Sequence, residues 1–190
     1  SSFPLLSSNI VQEGSGSSPD FLSGELTVHP GNGLNIALLG LTPPATPNLT
    51  APVNVQGLRF ENPGNVLPQK ISRLRQGGAD LVVLLTLIDK SRLSADEWSQ
   101  IRVAAPDVVL MLDFDVEPPA PSFRDGILMK TINGYNQGKE FDELTLEISP
   151  KHQIVQFSSR RLPVLTEELA PNPKTRGIVD DVQKKIQTVR

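Results

Sequence analysis

Residues 79–88 read ADLVVLLTLI, an almost unbroken apolar run that follows the pair Gly77-Gly78. A short apolar run behind a glycine stop fits a strand buried on both faces, as in parallel sheets. Just upstream, Asn62 and Pro63 open a helix as N-cap and first residue, and Leu67, Ile71 and Leu74 repeat at helical spacing. Pro68 falls inside that pattern, so the reading expects a kink there or a later start. Gly77-Gly78 ends the helix. Downstream, SADEW (94–98) carries a capping box, Ser94 with Glu97, ahead of Trp98 and Ile101. Then DVVLML (107–112) repeats the buried-strand pattern. Upstream, LNIALLGL (34–41) does the same. Strand, helix, strand, helix, strand over residues 34–112 predicts an α/β sheet with helical crossovers.

The flanks read differently. FPLLSSNI (3–10) is expected to be a short strand, and residues 11–23 a Ser/Gly loop. GELTVH (24–29) alternates as a half-exposed strand does. TPPATPNLTAP and EPPAP are too rich in proline for helix. GILMKTI, FDELTLEIS and HQIVQFSSRRLPV follow with no room for helices between them. They read as an antiparallel meander over 126–164, forming a second sheet. Pro173 opens a terminal helix to residue 190, with Ile178, Val182, Ile186 and Val189 on one face. The expected organisation is one domain, 1–190: an α/β part (1–112), a Pro-rich loop (113–125), the meander and the helix.

Composition narrows the function. A net charge of −3 leaves no electrostatic footprint for nucleic acid or an anionic membrane. No apolar run approaches the ~20 residues of a spanning helix. Zero cysteines exclude disulfides and thiolate metal sites, and leave the compartment open. The first residue is Ser1, read as a processed or excerpted terminus. No Gly-x-Ser-x-Gly elbow and no phosphate loop is present. The two histidines, His29 and His152, both sit at turns and read as structural. Asn48-Leu49-Thr50 is a bare sequon. The chemically suggestive element is DFD, Asp113 to Asp115, at the end of a buried strand. Its first reading is a pair of solvated strand-end carboxylates. A hard-cation site for Mg²⁺ or Ca²⁺ needs more ligands than these two.

Several segments, in order, resemble one family. FPLLSSNI followed by IALLGLTPPATP is similar to the "FPlLsaNi" and "ialiGlTtpeTp" segments of the 5′-nucleotidase/UDP-sugar hydrolase branch of the calcineurin-like metallophosphoesterases. FENPGNVLPQKISRLRQGGADLVVLLT, DGILMKTINGYNQGKEFDELTLEIS and RLPVLTEELAPNPKTRGIVDDVQKKI resemble later segments of that branch. The resemblance covers nearly the whole chain and implies the second half of a metallophosphoesterase β-sandwich with flanking helices.

The family uses two divalent metals held by Asp, His and Asn. Its Asp-x-His and Gly-Asn-His-Glu motifs lie upstream of the FPLLSSNI-like strand. Downstream, the resemblance puts Leu87 where one imidazole belongs, and Asp113 and Asp115 where two more belong. Met111-Leu112 replaces two glycines. The expectation is therefore a non-catalytic, phosphoesterase-like structural or binding subunit, with no catalytic residue and no transition metal. The alternative is half of a nucleotidase-like hydrolase whose other ligands lie on an upstream segment or a partner chain. Asn9, Thr86, Asn133 and Tyr135 are the candidate pocket residues, Tyr135 within the turn NGYNQG. The resemblance also implies a periplasmic or extracellular location. A partner chain or a second copy is expected to cover an open sheet edge at LNIALLGL or FPLLSSNI, unless the N-terminal loop does so.

Overall fold

The computed structural model describes residues 3–31, 33–89, 93–114, 118–134, 138–164 and 172–188. It divides into two compact units, Ser1–Tyr135 with Leu144–Ser159, and Asn136–Glu143 with Arg160–Arg190. The first unit is built on a six-stranded sheet. Its strands are β2 (Leu26–Val28), β3 (Ile36–Leu41), β5 (Leu81–Asp89), β6 (Val108–Asp113), β7 (Ser122–Arg124) and β8 (Ile127–Asn133). Their order is β2-β3-β5-β6-β8-β7. The four central strands run parallel, and the two edge strands are antiparallel to their neighbours. A smaller pair, β1 (Ile10–Gln12) and β4 (Leu58–Phe60), is antiparallel.

Two helices, α1 (Pro63–Gln76) and α2 (Ala95–Ala104), make the crossovers. Strand alternation supplies their seat. Ala37, Leu39 and Leu41 of β3, Val82 and Leu84 of β5, and Val109 and Met111 of β6 form one core with Leu67, Ile71, Trp98 and Ile101. The capping box forms as read: Glu97 N donates to Ser94 Oγ (3.1 Å) and Ser94 N to Glu97 Oε2 (3.0 Å). Helix α1 starts at Pro63 despite Pro68, which sits at the sixth helical position and leaves the Gly64 carbonyl without its i→i+4 partner. The Asn62 side chain makes no cap bond. Instead Gly64 N donates to Gln100 Oε1 of α2 at 2.9 Å, so one helix caps the other.

Three expectations change. FPLLSSNI is not a strand along its length: Leu6 makes only an isolated bridge to Ser23, and Ile10 alone joins β1. The Ser-Ser-Asn triplet turns inward instead, because its polar side chains find buried partners there. LNIALLGL is not an open edge. Leu26–Val28 pairs with Ile36–Leu38, and Ser8 N donates to Gly40 O at 2.7 Å. The meander over 126–164 is also corrected: β8 leaves it and pairs in parallel with β6 in the main sheet. The physical reason is a hairpin inside the stretch read as loop. Asp125 (φ 52°) and Gly126 (φ 82°) are both left-handed, the requirement of a two-residue hairpin turn. They fold β7 back along β8, and the apolar ILMKTI then fits a central position.

The strands β9 (Glu140–Ile148) and β10 (Ile154–Pro163) form a two-stranded sheet. Its tip belongs to the first unit. There His152 takes a left-handed φ of 57° and its Nδ1 lies 2.9 Å from Asp80 Oδ1. The second unit holds the base of this hairpin, where Arg160 makes a two-pronged pair with Glu143 (2.9 and 3.1 Å), and helix α3 (Pro173–Thr188). Among the described residues no helix is long and apolar enough to cross a membrane.

Candidate functional site

Open parallel sheets bind ligands beyond the carboxyl ends of their strands. Here that rim follows Leu41 in β3, Thr86 to Asp89 in β5, Asp113 in β6 and Asn133 in β8. The register aligns Leu41, Thr86, Met111 and Thr131 in one row. One residue further along β6, Leu112 pairs with Asp89, and two residues further Asp113 pairs with Asn133. Strand β5 bulges between Thr86 and Asp89, a common device for re-aiming side chains beside a site. Thr86 is buried, and its Oγ1 accepts from Ile88 N at 3.1 Å, fixing the bulge. Leu87, in the bulge, is 61% exposed. Next to it Met111 is buried in the helix-side core. The Phe114 ring lies against Gly134, where a Cβ would come within 2.5 Å of the ring.

The sequence candidates therefore separate. The structure brings Asp113 and Asn133 side by side in the ladder and Thr86 into the adjoining row. Asp115 and Tyr135 lie outside the described residues. Asn9 is fully buried and committed elsewhere. Its Nδ2 donates to Thr42 O (2.8 Å) and Glu61 O (2.9 Å), and its Oδ1 accepts from Thr42 N (2.9 Å) and Ser7 Oγ (3.3 Å). It is a staple joining three chain segments, with no capacity left for a ligand.

Both imidazoles lie at the other end of the sheet. His29 Nδ1 is 2.7 Å from Asn35 Oδ1, just before β3, and His152 contacts Asp80, just before β5. At roughly 3.3 Å per residue, the length of β5 puts them roughly 20 Å from Leu87. Among the described residues no three His, Asp or Glu side chains converge as a metal-holding group. The described donor set does not fit an imidazole-based two-metal centre.

A mixed sheet with its helical crossovers on one face is shared with solved structures, and the likeness gives the fold as that of the calcineurin-like phosphoesterases and 5′-nucleotidases. The chain matches the sulfate thiohydrolase SoxB of Thermus thermophilus with a TM-score of 0.79 at 23% identity, over 97% of this chain and 32% of that one. It matches a 5′-nucleotidase precursor, also from Thermus thermophilus, at 0.72 and 17% identity, over 99% of this chain and 39% of that one. The calcineurin-like phosphoesterase YfkN of Bacillus subtilis matches at 0.65 and 14% identity, over 96% of this chain and 62% of that one. The chain thus spans about a third of the length of the first two. No family model matches the sequence, and no curated protein does. At these identities the likeness establishes the fold.

Proposed function

We propose that the chain is a non-catalytic phosphoesterase-fold module that acts as a structural or binding subunit. The observation behind this reading is Leu87: an exposed aliphatic in the β5 bulge, where the resemblance calls for an imidazole, with both histidines bonded at the opposite end of the sheet. Phosphoryl hydrolysis by two metals needs ligands that hold them and lower the pKa of a bound water. Leu87 supplies none. The test is purified protein with Mn²⁺, Mg²⁺, Zn²⁺ or Co²⁺ and a chromogenic phosphodiester or a nucleotide. The expected result is turnover at the buffer rate and no stoichiometric Zn or Mn on elemental analysis. Metal-dependent turnover abolished by Asp113→Ala would overturn the proposal. A second reading, half of a nucleotidase-like hydrolase completed by another segment or chain, draws on the fraction of its relatives that the chain spans. Turnover restored by mixing with such a segment is its distinguishing result.

The same reading includes a covering partner, either another polypeptide or a second copy. The edge of β3 is closed from within, so the support comes from the sheet face opposite the helices. There Leu38, Val83, Leu85, Leu110 and Leu112 are only half-buried, and Leu87 is exposed. Parallel strands are ordinarily covered on both faces. Light scattering at micromolar concentration should give a mass above 20.7 kDa; a clean monomer with full protection of β5 and β6 amides would remove the need for a partner. We further propose a periplasmic or extracellular location, by analogy with the nucleotidase precursor. Recovery in the cytosolic fraction would refute it.

A further inference from the structure

On the helix side of the sheet, beside the carboxyl ends of β6 and β8, lies a cavity of about 300 Å³, the small end of the range for ligand pockets. Met111, Met129, Leu93 and Pro119 wall it with apolar atoms. Two polar groups reach it from the β7–β8 hairpin. Thr131 is only 4% exposed, and its Oγ1 has no hydrogen-bond partner among the described residues. A buried hydroxyl without a partner is uncommon and costs stability, so a native protein that keeps one needs a reason. The second group is Arg124. Its guanidinium carbon stands 4.2 Å from the centre of the Trp98 ring. Trp98 is itself held, its Nε1 donating to Asp125 Oδ2 at 2.9 Å. The stacking fixes the guanidinium plane and leaves its N–H fork without an ion pair among the described residues.

Register gives the spacing. Ser122 pairs with Met129 and Arg124 with Ile127, so Thr131 lies four residues along β8 from the partner of Arg124, roughly 13 Å. Arg124 and Thr131 project to the same side by strand alternation. We propose that this cavity binds a short aliphatic carboxylate: the Arg124 fork takes the carboxylate, the apolar walls take the chain, and Thr131 pairs with a polar group at its far end. The cavity borders the strand-end rim through Met111 and Thr131, but the proposal does not rest on Leu87, which carries the reading given above.

Trp98 is the only tryptophan in the chain, so its fluorescence reports directly on the Arg124 stack. The experiment titrates the purified chain with ω-hydroxyhexanoate, hexanoate and hexylamine while Trp98 emission is recorded. The expected result is saturable binding of ω-hydroxyhexanoate with a Kd on the order of 1 mM, hexanoate weaker by about threefold to tenfold, and no response to the amine. Arg124→Met should weaken the carboxylates by about tenfold or more. Thr131→Val, nearly isosteric, should fold at least as stably as the parent and abolish the preference for the hydroxylated ligand, and its melting curve shows that any loss is not unfolding. An equal response to hexylamine, an unaltered titration in Arg124→Met, a preference that survives Thr131→Val, or no saturation at all would overturn the proposal.

Discussion

Replacing Gly40 by alanine should lower stability by about 3 kcal/mol and release residues 5–9 from the sheet. A Cβ at position 40 would lie 2.2 Å from the carbonyl oxygen of Leu6 and 2.6 Å from its carbonyl carbon. Both are backbone atoms, so no rotamer change relieves the overlap. The chain at Leu6 must move away, and Ser8 N must then give up its bond to Gly40 O. Urea unfolding measures the loss. The control is Gly64→Ala, where the atoms nearest the new methyl belong to the flexible Gln100 side chain, at 3.1 Å; it should cost less than about 1 kcal/mol. A Gly40→Ala midpoint equal to that of the control would mean that the N-terminal segment does not cross β3 as described.

Asn9→Ala is expected to have a similar effect by another route, about 3 kcal/mol. The amide of Asn9 satisfies Thr42 N, Thr42 O and Glu61 O at once. Truncation leaves these backbone groups short of partners where water reaches poorly, and an unmet buried polar group is costlier than a hydrogen bond is worth. Asn9→Asp should be no better at neutral pH, since it removes the donor and sets a carboxylate against two carbonyl oxygens. If Asn9→Ala unfolds within about 0.5 kcal/mol of the parent, the side chain is not a staple and the pocket reading of Asn9 returns.

The parallel core was legible because each of its signals is local. Gly77-Gly78, the Ser94–Glu97 box and the runs read at 34–41, 79–88 and 107–112 are each short-range signals, and the strands found at Ile36–Leu41, Leu81–Asp89 and Val108–Asp113 overlap those runs. What was misread depends on partners distant in sequence. FPLLSSNI has a strand's composition, yet its conformation is set by Ser23, Gly40, Thr42 and Glu61, which no window of residues reveals. The β7–β8 hairpin is different, because Asp125-Gly126 is itself a two-residue turn signal, split in the sequence reading between a loop ending at 125 and a strand starting at 126. Of the site, Leu87 stands in the sequence where the resemblance expects an imidazole, and the structure adds that it lies exposed in the β5 bulge. The cavity of Arg124 and Thr131 could not be read there, since Trp98 reaches Arg124 from a helix and Met111 joins the wall from a strand that no period or motif links to Thr131. Asp125-Gly126 was again the available clue, for it places Arg124 and Thr131 on one side of one hairpin.

The strand order also bears on how the chain can assemble as it is synthesised. β3, β5 and β6 lie side by side in the order in which they are made, with a helix between each and the next. Sequential addition in that order would leave one parallel strand unpaired at each stage. The next addition differs in kind. β7 and β8 form a local hairpin across a two-residue turn, and β8 meets β6 with β7 already outside it. The exposed edge of β6 is thereby replaced in a single step by a three-residue strand, too short to template further growth. The hairpin closes the run of parallel strands at the point in the chain where the crossover helices also end.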